Sequence, residues 1–134
     1  MIGIVVVTHG QIAEELVNAA RTIVGEIPAI VAVSIGWGDD PAAANAAIEK
    51  GLEDVGGGEA LILTDMFGGT ATNLALPFLE PDRIEIVTGV NLPMLVKLGS
   101  MSGKSMSLKE LAVGLTAAGQ KSIRVASEFL HAKA

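Results

Sequence analysis

The sequence contains no cysteine, and this absence removes several kinds of chemistry at once. Without thiols the chain has no disulfide, no thiolate nucleophile and no metal site built on cysteine. Lys and Arg number 9 against 15 acidic residues, which gives a formal charge of −6, and the basic residues are scattered along the chain. Nucleic-acid binding needs clustered positive charge, so we expect no nucleic-acid partner.

Long hydrophobic runs are also missing. No apolar stretch reaches the roughly 18 residues that a membrane span requires, and the first residues lack the basic region of a signal peptide. With 134 residues, half of them hydrophobic, the chain is long enough to bury a substantial core. We therefore expect one domain over residues 1–134 that is cytoplasmic and does not insert into a membrane.

A strand–loop–helix pattern recurs along the sequence. Apolar runs at Ile2–Val7, Ala29–Ile35, Ala60–Thr64 and Ile84–Thr88 are typical of buried strands, and each leads through a loop to a helical pattern. This alternation predicts an α/β fold, a single three-layer domain with helices on both faces of a four-stranded parallel sheet. The right-handed crossover rule places the loops after all four strands at one edge, and we predict the strand order 2-1-3-4.

Cap residues mark where several helices begin and end. Asp40 followed by Pro41 predicts one start, and Ser107 with Glu110 three residues later predicts a capping box at another. Pro77 is expected to kink or shorten the third helix, because proline removes a backbone donor. The predicted buried face of the first helix consists of Ile12, Leu16, Ala19 and Ile23.

The C-terminal segment allows two interpretations. Gly119 is predicted to end the last long helix, and Ser122–Ala126 alternates polar and apolar residues. The alternation predicts a short antiparallel edge strand, and the competing prediction is a helix that runs on to Phe129. An unpaired strand would leave an exposed sheet edge, which a second subunit can cover.

Two residues able to do chemistry follow neighbouring strands. His9 follows the first strand and Asp65 the third, and in the predicted order these strands meet at the switch point where open sheets bind ligands. A histidine held by a carboxylate through one ring nitrogen presents the lone pair of the other to an electrophile. Four interpretations remain open: acid–base catalysis, nucleophilic capture of a phosphoryl group, metal ligation, and a surface pair without chemistry.

The loop after Asp65 favours an anionic ligand. Gly68 and Gly69 let the backbone approach a ligand closely, and Thr70 is the predicted N-cap of a helix whose free N–H groups face the loop. Of the four interpretations, phosphoryl capture makes use of this loop. His131 is the only other histidine, and no serine elbow accompanies His9, so we expect no metal, no cofactor and no hydrolytic nucleophile.

Trp37 lies in a glycine turn after the second strand. We expect it either to form a contact surface or to cover the edge of the core, and the sequence favours neither.

Three separated motifs resemble one known family. Residues 4–10 (IVVVTHG), 64–73 (TDMFGGTATN) and 88–95 (TGVNLPML) look like the IIA domain of the mannose family of the bacterial phosphoenolpyruvate-dependent sugar phosphotransferase system. The motifs occur in the same order as in that family and cover almost the whole chain.

The resemblance implies a phosphotransferase component that carries a phosphoryl group on histidine. His9 would accept the group on Nε2 from the phosphocarrier HPr and pass it to a IIB domain for sugar uptake. Asp65 would orient the ring through Nδ1. Thr70, where the family usually has serine, and the N–H groups of Gly68 and Gly69 would hold the phosphate.

The resemblance also implies a homodimer in which a C-terminal edge strand is exchanged between subunits. The sequence departs from the family at Ala71 and Thr72, where proline and an aromatic residue are common, so the local partner surface is expected to differ. No IIB domain is present in these residues, and we expect the acceptor on another chain. The alternative function is regulatory, with the phosphorylation state of His9 controlling a partner protein.

Overall fold

The structure is a computed structural model that describes residues 1–101 and 105–133, with side chains described up to residue 130. The described chain forms four strands, six helices and one turn of 3-10 helix. In chain order they are β1 (Gly3–His9), α1 (Ile12–Val24), β2 (Ile30–Ile35), α2 (Pro41–Asp54), β3 (Ala60–Thr64), α3 (Thr70–Ala75), the 3-10 turn (Leu76–Phe78), β4 (Ile84–Thr88), α4 (Leu92–Met101), α5 (Leu108–Lys121) and α6 (Ala126–Lys133). Strand and helix alternate from β1 to α4, with the 3-10 turn between α3 and β4, and two further helices follow.

The strands form one parallel sheet in the order β2-β1-β3-β4, as predicted. β1 lies between β2 and β3, and its residues from Ile4 to Val7 are buried. The register places His9 opposite Ile35 of β2 and Val7 opposite Thr64 of β3. The carboxyl ends of these three strands therefore meet at one edge of the sheet.

Each face of the sheet carries its own apolar core, because alternate strand residues point to opposite faces. Ile4 and Val6 of β1 pack with α1, α4 and α5, whereas Val5 and Val7 pack with α2 and α3. The predicted three-layer arrangement with helices on both faces is confirmed.

The cap signals at two helices are confirmed. The Asp40 side chain accepts a hydrogen bond from the Ala42 N–H, with Pro41 at the first helical position of α2. At α5, the Ser107 hydroxyl accepts from the Glu110 N–H at 3.1 Å and the Glu110 carboxylate accepts from the Ser107 N–H at 2.9 Å. This reciprocal pair satisfies two N–H groups that the helix leaves unpaired. Near Pro77, α3 ends after six residues and continues as the 3-10 turn, so the predicted shortening is also confirmed.

The predicted buried face of α1 is correct only in part: Leu16 packs against the core, but the fully buried positions lie on a neighbouring stripe of the helix. The buried positions are Ala13, Val17 and Ala20, while Ile12 and Ile23 are largely exposed. Small residues on the sheet-facing side let the helix approach β1 closely, and the larger apolar residues were mistaken for the buried face.

Two predicted helix boundaries are also wrong. Gly69, in an extended conformation, is the N-cap of α3, and Thr70 is the first residue of the helix. Gly119 does not end α5, which continues to Lys121 with Ser122 as its C-cap. Gly119 is instead a packing position, since a Cβ there would lie 2.8 Å from Met94 Cγ.

In the single chain, the antiparallel edge strand expected at Ser122–Ala126 does not form. Residues 123–125 have no regular structure, and α6 begins at Ala126. The Ile123 N–H bonds to the Gln120 carbonyl and the Phe129 N–H to the Val125 carbonyl, so local turn and helix bonds replace a ladder. Ile123 and Val125 are 76% and 60% exposed.

Within the described ranges, no helix is both long enough and apolar enough to cross a membrane.

The close approach of β1 to the end of α2 gives a test of the fold. A Cβ at Gly3 would lie 2.6 Å from Val55 Cβ and 3.0 Å from the Val55 carbonyl oxygen. The shorter of these distances does not occur for real Cβ atoms, so an alanine at this position would force the neighbouring chain to shift. Gly3→Ala is expected to lower the free energy of unfolding by about 1–3 kcal/mol, the usual cost of overpacking. Urea denaturation measures the loss.

Gly58→Ala is the control, because a Cβ at this position meets nothing within 4 Å. The free energy of unfolding of this variant should change by less than about 0.5 kcal/mol. Equal stability of both variants would contradict the described packing.

Candidate functional site

His9 and Asp65 lie together at the carboxyl edge of the sheet. His9 is the last residue of β1, and Asp65 directly follows β3, whose Thr64 pairs with Val7. The His9 Nδ1 lies 2.7 Å from Asp65 Oδ2, and the same carboxylate oxygen accepts the His9 backbone N–H at 2.9 Å. The two residues that the sequence singled out are therefore in direct contact.

The hydrogen bonds of Asp65 determine the state of the carboxylate and of the ring. Burial alone would raise the pKa of Asp65, but hydrogen bonds from the His9 backbone, the His9 ring and the Met66 N–H lower it below its ordinary value. The carboxylate is thus ionised at neutral pH and can only accept hydrogen bonds, so Nδ1 of His9 carries the proton. In the neutral ring Nε2 then has a free lone pair, and no described residue hydrogen-bonds to it.

Both side chains are partly shielded from solvent, at 15% exposure for His9 and 13% for Asp65. The second oxygen of Asp65, Oδ1, accepts the Met66 N–H at 2.9 Å, which fixes the plane of the carboxylate. A charge-assisted bond in this partly desolvated position holds the imidazole more firmly than an exposed pair would.

Two buried threonines hold the loop that follows Asp65. The Thr72 hydroxyl donates to the Met66 carbonyl at 2.5 Å, so its single proton is used, and the Thr64 hydroxyl donates to Thr72 at 2.7 Å. Thr64 and Thr72 are both fully buried. Sequence reasoning missed this role of Thr72, although a polar residue in the first turn of a buried helix was a usable signal.

A third buried threonine holds the turn after His9. Thr8 Oγ1 accepts the Ala13 N–H at 2.7 Å, near the start of α1, and donates to the His9 carbonyl at 3.2 Å. The strand end that carries His9 is thereby tied to the helix that follows it.

The glycine loop passes along one edge of the imidazole. A Cβ at Gly69 would lie 3.2 Å from His9 Cε1 and 2.9 Å from Met66 Cγ, so a side chain does not fit there. Gly68 has φ +80°, a conformation that favours glycine. In the described part of the chain, the N–H groups of Gly68, Thr70 and Ala71 bond to no backbone carbonyl. The Thr70 side chain is exposed and has no hydrogen bond to His9.

Trp37 belongs to the same site, which the sequence did not predict. Its indole stacks on the imidazole of His9, with ring centroids 5.2 Å apart and planes inclined by 17°. The side chain is 82% exposed, so it does not cover the edge of the core. The contact could not be seen in the sequence because it depends on how the turn after β2 folds back toward β1.

The loop after β4 is close to the site but serves a structural role. The Val90 N–H bonds to the Thr64 carbonyl at 2.8 Å, which fixes this loop to the end of β3. Asn91 accepts the Met94 N–H and donates to the Gly119 carbonyl. The third sequence motif, residues 88–95, therefore stabilises the strand end that precedes Asp65.

The arrangement suits a histidine nucleophile. An oriented neutral imidazole with a free Nε2 attacks an electrophile such as phosphorus, and the carboxylate stabilises the positive charge that develops on the ring. Among the residues that the structure describes, no three His, Cys, Asp or Glu side chains are grouped to hold a metal ion.

Comparisons with known proteins agree in both sequence and structure. The family model EIIA-man, described as "PTS system fructose IIA component", matches residues 3–114. The PTS system fructose-specific EIIA component of Bacillus subtilis is 33% identical over 133 residues, which cover 98% of this chain and 90% of that protein. The PTS system mannose-specific EIIAB component of Escherichia coli K12 is 31% identical over 92% of this chain, which spans only 39% of that protein.

Solved structures show the same fold. The mannose/sorbose-specific IIA subunit of the phosphotransferase system from Enterococcus faecalis superposes with a TM-score of 0.82 and 28% sequence identity, over 92% of this chain and 93% of that one. The family model covers all four described strands and both residues of the histidine–aspartate pair. The chain belongs to the EIIA-man family, the mannose and fructose type of IIA component of the phosphotransferase system.

Proposed function

We propose that this protein is a phosphohistidine carrier that accepts a phosphoryl group on Nε2 of His9 from phosphorylated HPr. It then passes the group to a IIB domain on another chain, in the cytoplasm, for sugar uptake. The observation that carries the proposal is the hydrogen bond between Nδ1 of His9 and Asp65, which in the neutral ring places the proton on Nδ1 and the lone pair on Nε2. Membership of the family supports the donor and the acceptor class.

The transfer step needs no cofactor. The Nε2 lone pair of His9 attacks phosphorus, an N–P bond forms, and the N–P bond to the donor histidine breaks with its electron pair returning to the donor ring. The proton stays on Nδ1, and the ionised Asp65 balances the positive charge of the phosphorylated imidazole. The reverse sequence with a IIB residue as nucleophile completes the transfer.

Gly68, Gly69 and Thr70 are proposed to hold the phosphoryl oxygens. The loop lies beside the imidazole edge, Gly69 has no side chain to block it, and the backbone N–H groups of Gly68 and Thr70 bond to no backbone carbonyl. Free backbone N–H groups in a turn are suited to an anion. The exposed Thr70 hydroxyl can turn toward the same oxygens.

Two copies are proposed to assemble through the C-terminal segment. β4 is an edge strand of the sheet, and the apolar side chains of Ile123 and Val125 are exposed in the single chain. Pairing of residues 122–126 with the β4 edge of a second copy would cover both features. The exchanged strand implied by the family resemblance fits this arrangement.

The site of phosphorylation is the first test. After incubation with phosphoenolpyruvate, enzyme I and HPr, we expect one acid-labile phosphoryl group, located on His9 by mass spectrometry. His9→Ala should abolish the label because no nucleophile replaces Nε2. His131→Ala is the control and should be labelled like the unmodified protein. Label that survives in His9→Ala would exclude the proposal.

The role of the carboxylate is tested by Asp65→Asn. The amide can donate to Nδ1, which moves the ring proton to Nε2, and it cannot stabilise an imidazolium. We expect the rate of phosphoryl transfer from HPr to fall about 10- to 100-fold, while the circular dichroism spectrum stays unchanged. Asp54→Asn makes the same chemical change on the exposed surface of α2 and should transfer at the normal rate. A normal rate in Asp65→Asn would remove the carboxylate from the mechanism.

Assembly is tested by truncation after Lys121, where α5 ends. The full-length protein is expected to be a dimer by light scattering at micromolar concentration, and the truncated protein a monomer that keeps its α/β spectrum. Residues 123–130 are exposed in the single chain, so their loss removes little of the core. The double variant Ile123→Ser, Val125→Ser should weaken the dimer without shortening the chain. A truncated protein that remains dimeric would place the interface elsewhere.

A further inference from the structure

Trp37 holds one face of the reacting imidazole although it is itself largely exposed. Its ring centroid lies 5.2 Å from that of His9, with the planes nearly parallel at 17°. A tryptophan that is 82% exposed buries little area, so its position contributes little to the stability of the fold. The contact that it does make is with the side chain that we propose as the phosphoryl acceptor.

The turn that carries Trp37 is closed by its own hydrogen bonds. Ile35, at the end of β2, pairs with His9, so the next residues start beside the histidine. The Asp39 carboxylate accepts the Gly36 N–H at 2.8 Å, and the Asp39 N–H bonds to the Gly36 carbonyl at 3.1 Å. The indole is thus presented by a closed four-residue turn.

The indole also lies beside Gly10. Gly10 has φ +53°, and a Cβ there would lie 3.5 Å from Trp37 Nε1 and 3.7 Å from Cζ2. A Cβ at this position would thus be in ordinary van der Waals contact with the indole, which places the indole beside the residue that directly follows His9. The Gly10 N–H bonds to the Ile35 carbonyl at 2.8 Å, which keeps the two strand ends together beneath the ring.

Three neighbours then define the orientation of the His9 ring. Asp65 holds Nδ1, Gly69 lies against the Cε1 edge, and Trp37 lies on a face. A hydrogen bond at one ring atom leaves the imidazole free to rock about that point. A stacked indole opposes rocking toward its side, which narrows the range of directions that the Nε2 lone pair can take.

We infer that Trp37 is a positioning residue for phosphoryl transfer: by stacking on His9 it aims Nε2 at the incoming phosphorus. The inference rests on the proposed function of His9. In-line displacement at phosphorus depends strongly on the angle of attack, because catalysis there is mostly positioning and electrostatic stabilisation. Trp37 does not touch the phosphoryl group, and it acts through the histidine.

The test uses a small phosphoryl donor, so that protein docking does not contribute. With phosphoramidate, His9 Nε2 forms the N–P bond as the bond to nitrogen breaks and ammonia leaves. Trp37→Ala is expected to slow phosphorylation of His9 about two- to tenfold, the factor that corresponds to the usual free energy of an aromatic pair. Trp37→Phe keeps a stacked ring and should restore most of the rate.

Phe67→Ala is the matched control. Phe67 is 79% exposed at the same edge of the sheet, but it has no ring contact with His9. Its removal should leave the phosphoramidate rate unchanged. If Trp37→Ala reacts with phosphoramidate at the normal rate and is slow only with HPr, Trp37 is a docking residue and the inference is overturned.

A spectroscopic measurement tests the geometry independently of the reaction. A stacked indole shifts the ring-proton resonances of His9 upfield in the NMR spectrum, and we expect this shift to be lost in Trp37→Ala and reduced in Trp37→Phe. Unchanged resonances in Trp37→Ala would overturn the inference. The two proposals can also fail separately. If HPr does not phosphorylate the unmodified protein, but the reaction with phosphoramidate still depends on Trp37, only the proposed function is overturned. A protein that neither HPr nor phosphoramidate phosphorylates would overturn both.

Discussion

The carboxylate of Asp65 is the point on which the site depends. It accepts three N–H groups, from the backbone and ring of His9 and from the backbone of Met66. These bonds join the ends of two strands, set the tautomer of the imidazole and keep the acid ionised, all through a single side chain.

The surrounding structure keeps this carboxylate and its histidine at a fixed separation. β1 and β3 are buried on both faces, so neither strand end can shift without disturbing a packed core. Buried threonines then use their hydroxyl groups to tie the adjoining loops to the strand ends, Thr8 on one side and Thr64 with Thr72 on the other.

Much of this arrangement follows from the sequence by simple rules. Apolar runs separated by loops and helices predict the parallel sheet and its order, and the position of His9 and Asp65 directly after two of those runs predicts that they meet. Features that depend on side-chain size or on distant packing were not predictable in the same way. The face of α1 was assigned by hydrophobicity, yet alanines face the sheet because close packing favours small side chains there.

The stacking of Trp37 and the C-terminal segment show a second limit. The indole reaches His9 only because a turn after β2 closes on itself, and no periodicity in the sequence reports that turn. In the single chain the segment near Ile123 pairs with no strand, and local helix and turn bonds form there. Alternation of polar and apolar residues indicates a preference for the β conformation, but it does not indicate whether a partner strand is available for pairing.

The separation of His9 and Asp65 along the chain has a consequence for how the protein matures. The two residues are 56 positions apart, and the carboxylate reaches the ring only after β3 has paired with β1. Parallel pairing of distant segments is a slow part of folding, because a long loop must close before the contacts that stabilise it exist. A nascent or partly folded chain therefore presents a histidine without an oriented lone pair, and under the proposed function such a chain would be a poor acceptor of phosphoryl groups. The imidazole of His9 is thus oriented by Asp65 only in a chain whose β1 and β3 have paired.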